Sequence, residues 1–302
     1  MLTLTIGQNI RSNSGYFYKT VQWLGAGGNS VVYLVHATSG EYRGVLFALK
    51  VFTRLSETTR LERFRQEAAF LRQCTHPSIM RIYDDGIYVP AQDKKEYPFV
   101  IVDYLPNTLS DLIRSPTTSA ERISYTLQLL SSLSYLDRHN PSVVHRDIKP
   151  RNIFIKGKSC VLGDFGLMKF LDAQDEVDHQ VYIESLGTGM PFFYRTPDLI
   201  AYAKEKKPLS TKSDVFQLGL VTAQVFAGWN PQKKAEAFTD DLTLEPIRYI
   251  PGILGPRIKQ LIETMLTNDP SIRPSAHEFI DPWEGIFREV VDQCQRLEGR
   301  VF

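Results

Sequence analysis

Residues 143–153 read Val-Val-His-Arg-Asp-Ile-Lys-Pro-Arg-Asn-Ile, and eleven residues beyond Ile153 comes Asp164-Phe165-Gly166. These two segments constrain the chain more than any other feature. Together they supply a carboxylate in Asp147, an ammonium in Lys149, an amide in Asn152 and a second carboxylate in Asp164. Such a set suits phosphoryl transfer, whose transition state spreads negative charge over oxygens that must be oriented and neutralised.

Two earlier segments bear on the same chemistry. Residues 24–32 read Leu24-Gly25-Ala26-Gly27-Gly28-Asn29-Ser30-Val31-Val32. Glycines let a backbone approach phosphate oxygens with no Cβ in the way, although the segment taken alone also reads as a hairpin turn. In Phe47-Ala48-Leu49-Lys50-Val51, a lysine inside an apolar strand asks for an anionic partner. The plainer alternative is an edge lysine whose stem lies on apolar surface while its head reaches water.

Taken in order, these motifs resemble the eukaryotic-type (Hanks-type) serine/threonine protein kinases, and the resemblance runs from about Leu24 to Arg273. It implies an α+β, two-lobed fold: a small β-rich N-lobe with one main helix (residues 1–104, including a short N-terminal arm) and a larger, mostly helical C-lobe (105–302). It also implies ATP and Mg²⁺, with Mn²⁺ as a substitute, and a protein substrate with a Ser or Thr acceptor. By resemblance Asp147 accepts or orients the hydroxyl proton, and Lys149 contacts the transferring phosphate and favours Ser/Thr over Tyr. Asn152 and Asp164 hold the metal. Lys50 pairs with the phosphates and with Glu67, which taken alone reads as a solvated helix face. Gly25, Gly27 and Gly28 line the phosphates. Around the base the family pattern places Leu24, Val32 and Ala48 above, Phe154 below, Val102 behind, and the Asp103 carbonyl and Leu105 N–H at the adenine edge. Phe165 is expected beside Leu71, Ile82 and His145.

The chain departs from the family pattern at three places. Ser30 stands where a third glycine usually falls. Thr196-Pro197-Asp198 replaces Ala-Pro-Glu, and the shorter aspartate is expected to displace or weaken the ion pair with Arg273. Gly187-Thr188 is separated from Tyr194 by a longer insert than usual, leaving open whether Thr188 reaches Asp147. Asp214 is expected to brace the catalytic loop. Arg146 precedes the catalytic aspartate, and kinases with that arginine are often switched on by phosphorylation. The segment 164–198 offers Tyr182, Ser185 and Thr188 as acceptors, and Asp172, Asp175, Glu176, Asp178 and Glu184 as carboxylates that could stand in for phosphate at Arg146.

Composition adds exclusions. The 302 residues are 43% hydrophobic and 23% charged with net charge +1, which gives no general reason to expect nucleic acid as a partner. No apolar run reaches the roughly 18–20 residues that span a bilayer. The first residues lack a signal-peptide pattern. The cysteines Cys74, Cys160 and Cys294 fit free thiols in a reducing compartment, so cytoplasm is expected. No histidine pairs with cysteine at zinc-ligand spacing, and nothing fixes the oligomeric state.

Patterning predicts strands at 18–24, 31–36, 46–51, 80–83 and 99–102, and a helix at 56–73. Further helices are predicted at 109–114, 120–138, 212–227, 255–266 and 282–297. Two other readings share this fold: a binding module that has lost the reaction, and a small-molecule kinase. The retained Lys50, Asp147, Asn152 and Asp164 argue against the first, and Lys149 with Arg273 against the second.

Overall fold

A computed structural model describes residues 2–171, 176–186 and 193–298, without the side chains of 176–177 and 294–298. The chain divides into two compact units, Met1–Pro106 and Asn107–Phe302.

The first unit is built on one antiparallel sheet. Its strands are β1 (Asn9–Arg11), β2 (Phe17–Ala26), β3 (Ser30–Ala37), β4 (Leu46–Phe52), β5 (Ile82–Tyr88) and β6 (Tyr97–Asp103), with helix α1 (Thr58–Gln73) between β4 and β5. The spatial order is β1-β2-β3-β4-β6-β5. β3 and β4 lie in the middle of the sheet, and Val31, Tyr33, Val35, Leu49 and Val51, alternating along them, sit in one core cluster. Phe64, Glu67, Phe70 and Leu71 are the buried residues of α1, and Phe64 packs on Phe52 with ring centroids 5.3 Å apart. Gly86 is required by packing, since a Cβ there would lie 2.6 Å from the Phe99 ring.

The second unit is mostly helical. α2 (Leu109–Leu112) and α3 (Ser119–Arg138) each open on a reciprocal cap, Thr108 with Asp111 and Thr118 with Glu121. Short strands follow: β7 (Val143–Val144), β8 (Ile153–Lys156), β9 (Ser159–Leu162) and β10 (Lys169–Phe170). β8 pairs with β9, while β10 returns to pair with β7. The remaining helices are α4 (Glu176–Leu186), α5 (Pro197–Glu205), α6 (Lys212–Ala227), α7 (Gly255–Met265) and α8 (Ala276–Glu298). α3 packs against α6 and α8, and α6 against α7. The last contact is close: a Cβ on Gly219 would meet Leu266 and Met265 at 3.0 Å.

Several expected boundaries move. The strand expected at 80–83 is Ile82–Tyr88. The final helix does not start at Pro282; it begins at Ala276, with Pro282 inside it. Ser275 and Glu278 form a reciprocal cap there, with the Ser275 N–H donating to Glu278 at 2.7 Å. Burial of Phe279, Trp283 and Ile286 holds the helix across the proline. α4 and α5 were not expected. Among the described residues no helix is long and apolar enough to cross a membrane.

Candidate active site

In the first unit the glycine segment is the β2–β3 hairpin, closed by Gly27 N–H donating to the Ser30 carbonyl at 2.8 Å. Gly25, Gly27 and Gly28 all lie outside the left-handed region. A Cβ at Gly25 or Gly28 would meet nothing within 4 Å, and at Gly27 only the Ser30 carbonyl at 3.9 Å. Neither backbone conformation nor internal packing therefore requires glycine at these positions. The hairpin tip is held from the side: Arg54 Nε donates to the Gly28 carbonyl at 2.9 Å, and Arg60 Nη1 to Asn29 Oδ1 at 2.7 Å. The Thr53 N–H donates to the Asn29 carbonyl at 2.9 Å. Sequence reading missed both arginines, because a contact from residues 26 and 31 positions away, one to a backbone carbonyl and one to a side-chain amide, leaves no spacing pattern.

Lys50 on β4 reaches Glu67 on α1, Nζ to Oε1 at 3.0 Å. Glu67 is buried, so it is an ion-pair partner and not a solvated face. Leu24 is exposed and Val32 half-buried, while Ala48 is buried between Leu34 and Val102 in the sheet. Asp103 ends β6 opposite Phe47 and accepts from the Tyr83 hydroxyl at 3.1 Å, and Leu105 follows it, half-buried.

In the second unit, β7 leads into the catalytic loop. Arg146 and Asp164 both have left-handed backbones, φ 67° and 58°. For residues other than glycine this costs on the order of 1–3 kcal/mol each and persists only where surroundings enforce it. At Arg146 the enforcement comes from α6: Asp214 accepts from the His145 N–H at 2.7 Å and the Arg146 N–H at 2.9 Å. His145 is fully buried, which lowers its pKa to about 4. The neutral ring then donates Nε2–H to the Gly163 carbonyl at 3.2 Å and accepts the Asp147 N–H at Nδ1, at 3.3 Å. Its ring packs on Phe165 with centroids 4.5 Å apart. Leu71 and Ile82 are buried within the first unit.

Asp147 Oδ2 accepts from Lys149 Nζ and from Asn152 Nδ2, each at 2.8 Å. Asn152 Nδ2 also donates to the Asp147 carbonyl at 2.8 Å. Burial raises the Asp147 pKa to about 6; Lys149 opposes the shift, and the Asp164 charge adds to it. The Gly163 N–H donates to the Asn152 carbonyl at 2.9 Å, placing the turn that carries Asp164 beside Asn152. Asp164 is exposed. Phe154 is half-buried on β8, paired with Val161.

Arg146 has a carboxylate partner. Its Nη1 and Nη2 donate to the two oxygens of Asp178 on α4 at 2.8 and 2.9 Å. Asp178 also accepts from the Tyr202 hydroxyl at 2.7 Å and lies 3.5 Å from Lys169 Nζ. The Arg146 guanidinium sits 4.7 Å from the centroid of the Tyr182 ring, which has no exposed surface. Tyr182 is therefore no acceptor in this conformation. Ser185 is half-buried and donates to the Tyr182 carbonyl at 2.6 Å. Glu184 is exposed and accepts from Gln180 at 3.3 Å. Asp172, Asp175 and Thr188, and the side chain of Glu176, lie outside the described residues.

Asp198 does not lose its partner through being short. Arg273 Nη1 donates to it at 3.0 Å and to the Lys212 carbonyl at 2.7 Å, with both side chains buried. The arginine reaches further, to the Thr267 and Asn268 carbonyls at 2.8 and 3.1 Å.

The sequence model for the protein kinase domain matches residues 18–283. The chain belongs to the protein kinase domain family. Its first unit is the β-rich N-terminal region of that domain and its second the helical C-terminal region. The kinase domain is 26% identical over 284 residues to calcium/calmodulin-dependent protein kinase cmkB of Emericella nidulans, covering 88% of this chain and 65% of that protein. It is 26% identical over 294 residues to serine/threonine-protein kinase pkn3 of Myxococcus xanthus, covering 92% and 51%. It is 28% identical over 273 residues to serine/threonine-protein kinase Nek3 of Oryza sativa subsp. japonica, covering 87% and 43%. The chain thus spans less than two thirds of the length of each of these relatives. The kinase family generally uses ATP and Mg²⁺, and its members are transferases.

Proposed function

We propose that the chain is an active serine/threonine protein kinase that transfers the γ-phosphate of ATP to protein hydroxyls. The observation that carries this reading is the arrangement around Asp147. Lys149 and Asn152 both bond Oδ2, so among the described residues Oδ1 is the oxygen left to receive the acceptor hydroxyl. Lys149 lies close enough to offset charge developing on the phosphoryl group. The glycines support a nucleotide, since the fold has no use of its own for their missing side chains.

Magnesium fits the donor set. The Asn152 amide nitrogen is turned to Asp147, leaving its oxygen to join the Asp164 carboxylate, and a hard cation takes oxygen ligands. When bound it would neutralise phosphate charge. Lys50, held by Glu67, contributes a fixed cation for the phosphates. Ser/Thr selectivity rests on Lys149 and on the similarity to serine/threonine-protein kinases pkn3 and Nek3.

The rival reading, a binding module without turnover, draws on Ser30 in the third glycine's place. Mass spectrometry of an acceptor protein incubated with the chain and Mg-ATP tests both. Phosphate on Ser or Thr, lost with Asp147→Asn while nucleotide binding persists, supports the kinase. Binding without transfer by the parent supports the module, and phosphate on Tyr refutes the selectivity.

A further inference from the structure

One turn of α6 accounts for the catalytic loop backbone on both sides of Asp147. Asp214 takes the N–H groups of His145 and Arg146. Gln217, three residues on and therefore on the same face, takes what remains. Its Oε1 accepts the Ile148 N–H at 2.9 Å, and its Nε2 donates to the Arg146 carbonyl at 3.1 Å. Those two groups belong to the peptide units immediately before and after Asp147, so Gln217 fixes both planes and with them the direction of the Asp147 side chain. The same Nε2 donates to the Tyr194 carbonyl at 2.8 Å. Tyr194 is tied to α6 a second time, its hydroxyl donating to Gln224 Oε1 at 2.6 Å.

Gln217 is 1% exposed, and its amide is used as acceptor and as double donor at once. No other common side chain of this length does both. A carboxylate cannot donate, a methionine does neither, and an asparagine is one methylene too short. A buried amide with both N–H donors and its oxygen bonded to backbone specifies one geometry.

We propose that Gln217 is a positioning residue for phosphoryl transfer: it aims Asp147 and fixes the Phe193–Arg195 segment in register with it. The proposal rests on the kinase reading. Because the Tyr194 link joins the catalytic loop to the chain entering α5, loss of the amide disturbs how an acceptor protein meets Asp147 and leaves nucleotide binding alone.

The test is steady-state kinetics of the full chain with Mg-ATP and dephosphorylated casein, comparing parent, Gln217→Met and Gln217→Glu. For Gln217→Met, kcat falls roughly 10- to 100-fold, as expected when a reacting group is misplaced by about 1 Å. KM for casein rises and KM for ATP stays at the parental value. A purely structural role would lower only the concentration of active molecules, leaving both KM values unchanged, and that result overturns the proposal. Gln217→Glu still accepts the Ile148 N–H, but its second oxygen faces two carbonyls unless it carries a proton. Its rate relative to parent therefore rises as the pH is lowered. His145, Asp147 and Asp214 titrate in both proteins, and a charged Glu at 217 would push the two aspartates further up and lower the ratio in acid, so a rise in the ratio reports the proton on residue 217. A flat ratio overturns the proposal even if the methionine variant fails to fold. A parent without transfer sinks the kinase reading and this proposal together. An active parent with parental kinetics in both variants sinks this proposal alone.

Discussion

Replacing Asp178 by alanine tests whether a carboxylate does the work of an activating phosphate. The Arg146 side chain has no exposed surface, and the substitution removes the partner of Nη1 and one of the two partners of Nη2. The carbonyls of Leu167 and Met168 stay bonded to Nε and Nη2. Tyr202 and Lys169 lose the same carboxylate. Removing one partner of a buried ion pair costs about 3–5 kcal/mol because the other charge is left uncompensated. At 1.4 kcal/mol per factor of ten, that shifts the docking of α4 by roughly 10²- to 10⁴-fold. Unless α4 is held elsewhere by more than this, it leaves Arg146 in most molecules. The assay is the initial rate of phosphatase-treated protein, read with hydrogen exchange of the amides from 178 to 186. The parent should transfer phosphate from the first time point, without a lag. Asp178→Ala should be slowed at least as much as its exchange protection falls, and Asp178→Asn, which keeps the size and one acceptor, should lie between. A parental rate and protection in Asp178→Ala would refute the reasoning. So would a dephosphorylated parent that is inactive until it has been incubated with ATP. A phosphate would bring about −1.5 to −2 charge and three acceptor oxygens, so modification at Ser185 or Thr188 should raise the rate only modestly.

Three further outcomes follow from the geometry. Asp147 must be ionised to take the hydroxyl proton and its carboxyl is raised to about 6. The kcat/KM for ATP, which reports the free enzyme, should therefore fall as pH drops through that value. Lys149→Met removes a cation that holds the pKa down, so the acid limb of the residual activity should move to higher pH; a limb that stays put or moves down contradicts the assignment. Arg60→Ala releases Asn29 at the hairpin tip, a hydrogen bond worth about 0.5–1.5 kcal/mol, so KM for ATP should rise roughly 2- to 10-fold. An unchanged KM would mean that the arginine does not position the loop. Asp198→Ala leaves Arg273 buried and should lower stability to urea by about 3–5 kcal/mol, with a loss under about 1 kcal/mol counting against a buried pair.

The contiguous motifs were legible because their chemistry is local. Asp147, Lys149 and Asn152 lie within one loop, and the fold needs only to close it. The long strands and amphipathic helices were legible for a similar reason, since their periodicity is written in neighbouring residues. What the sequence left open depends on long-range placement. Five carboxylates could serve Arg146, and only the docking of α4 on α5, through Tyr182, Leu199 and Tyr202, selects Asp178. Gln217 and Arg54 act on backbone groups, which carry no residue-specific signal. The start of α8 is written in Ser275 and Glu278, a reciprocal cap that lies ahead of Pro282. Whether Thr188 reaches Asp147 lies outside the described residues.

Two pairs of glycines in this chain have different fates under mutation. Adding a methyl group at Gly86 or Gly219 drives it into a ring or a neighbouring helix, so folding itself polices those sites. At Gly25 and Gly28 the added methyl meets open space. A population selected only for a well-folded chain would let those two positions drift to other residues within a few rounds, with no penalty in yield or melting temperature. A population selected for nucleotide use would hold them. Randomising the four codons together and sequencing survivors under each regime would separate what the architecture demands from what the ligand demands.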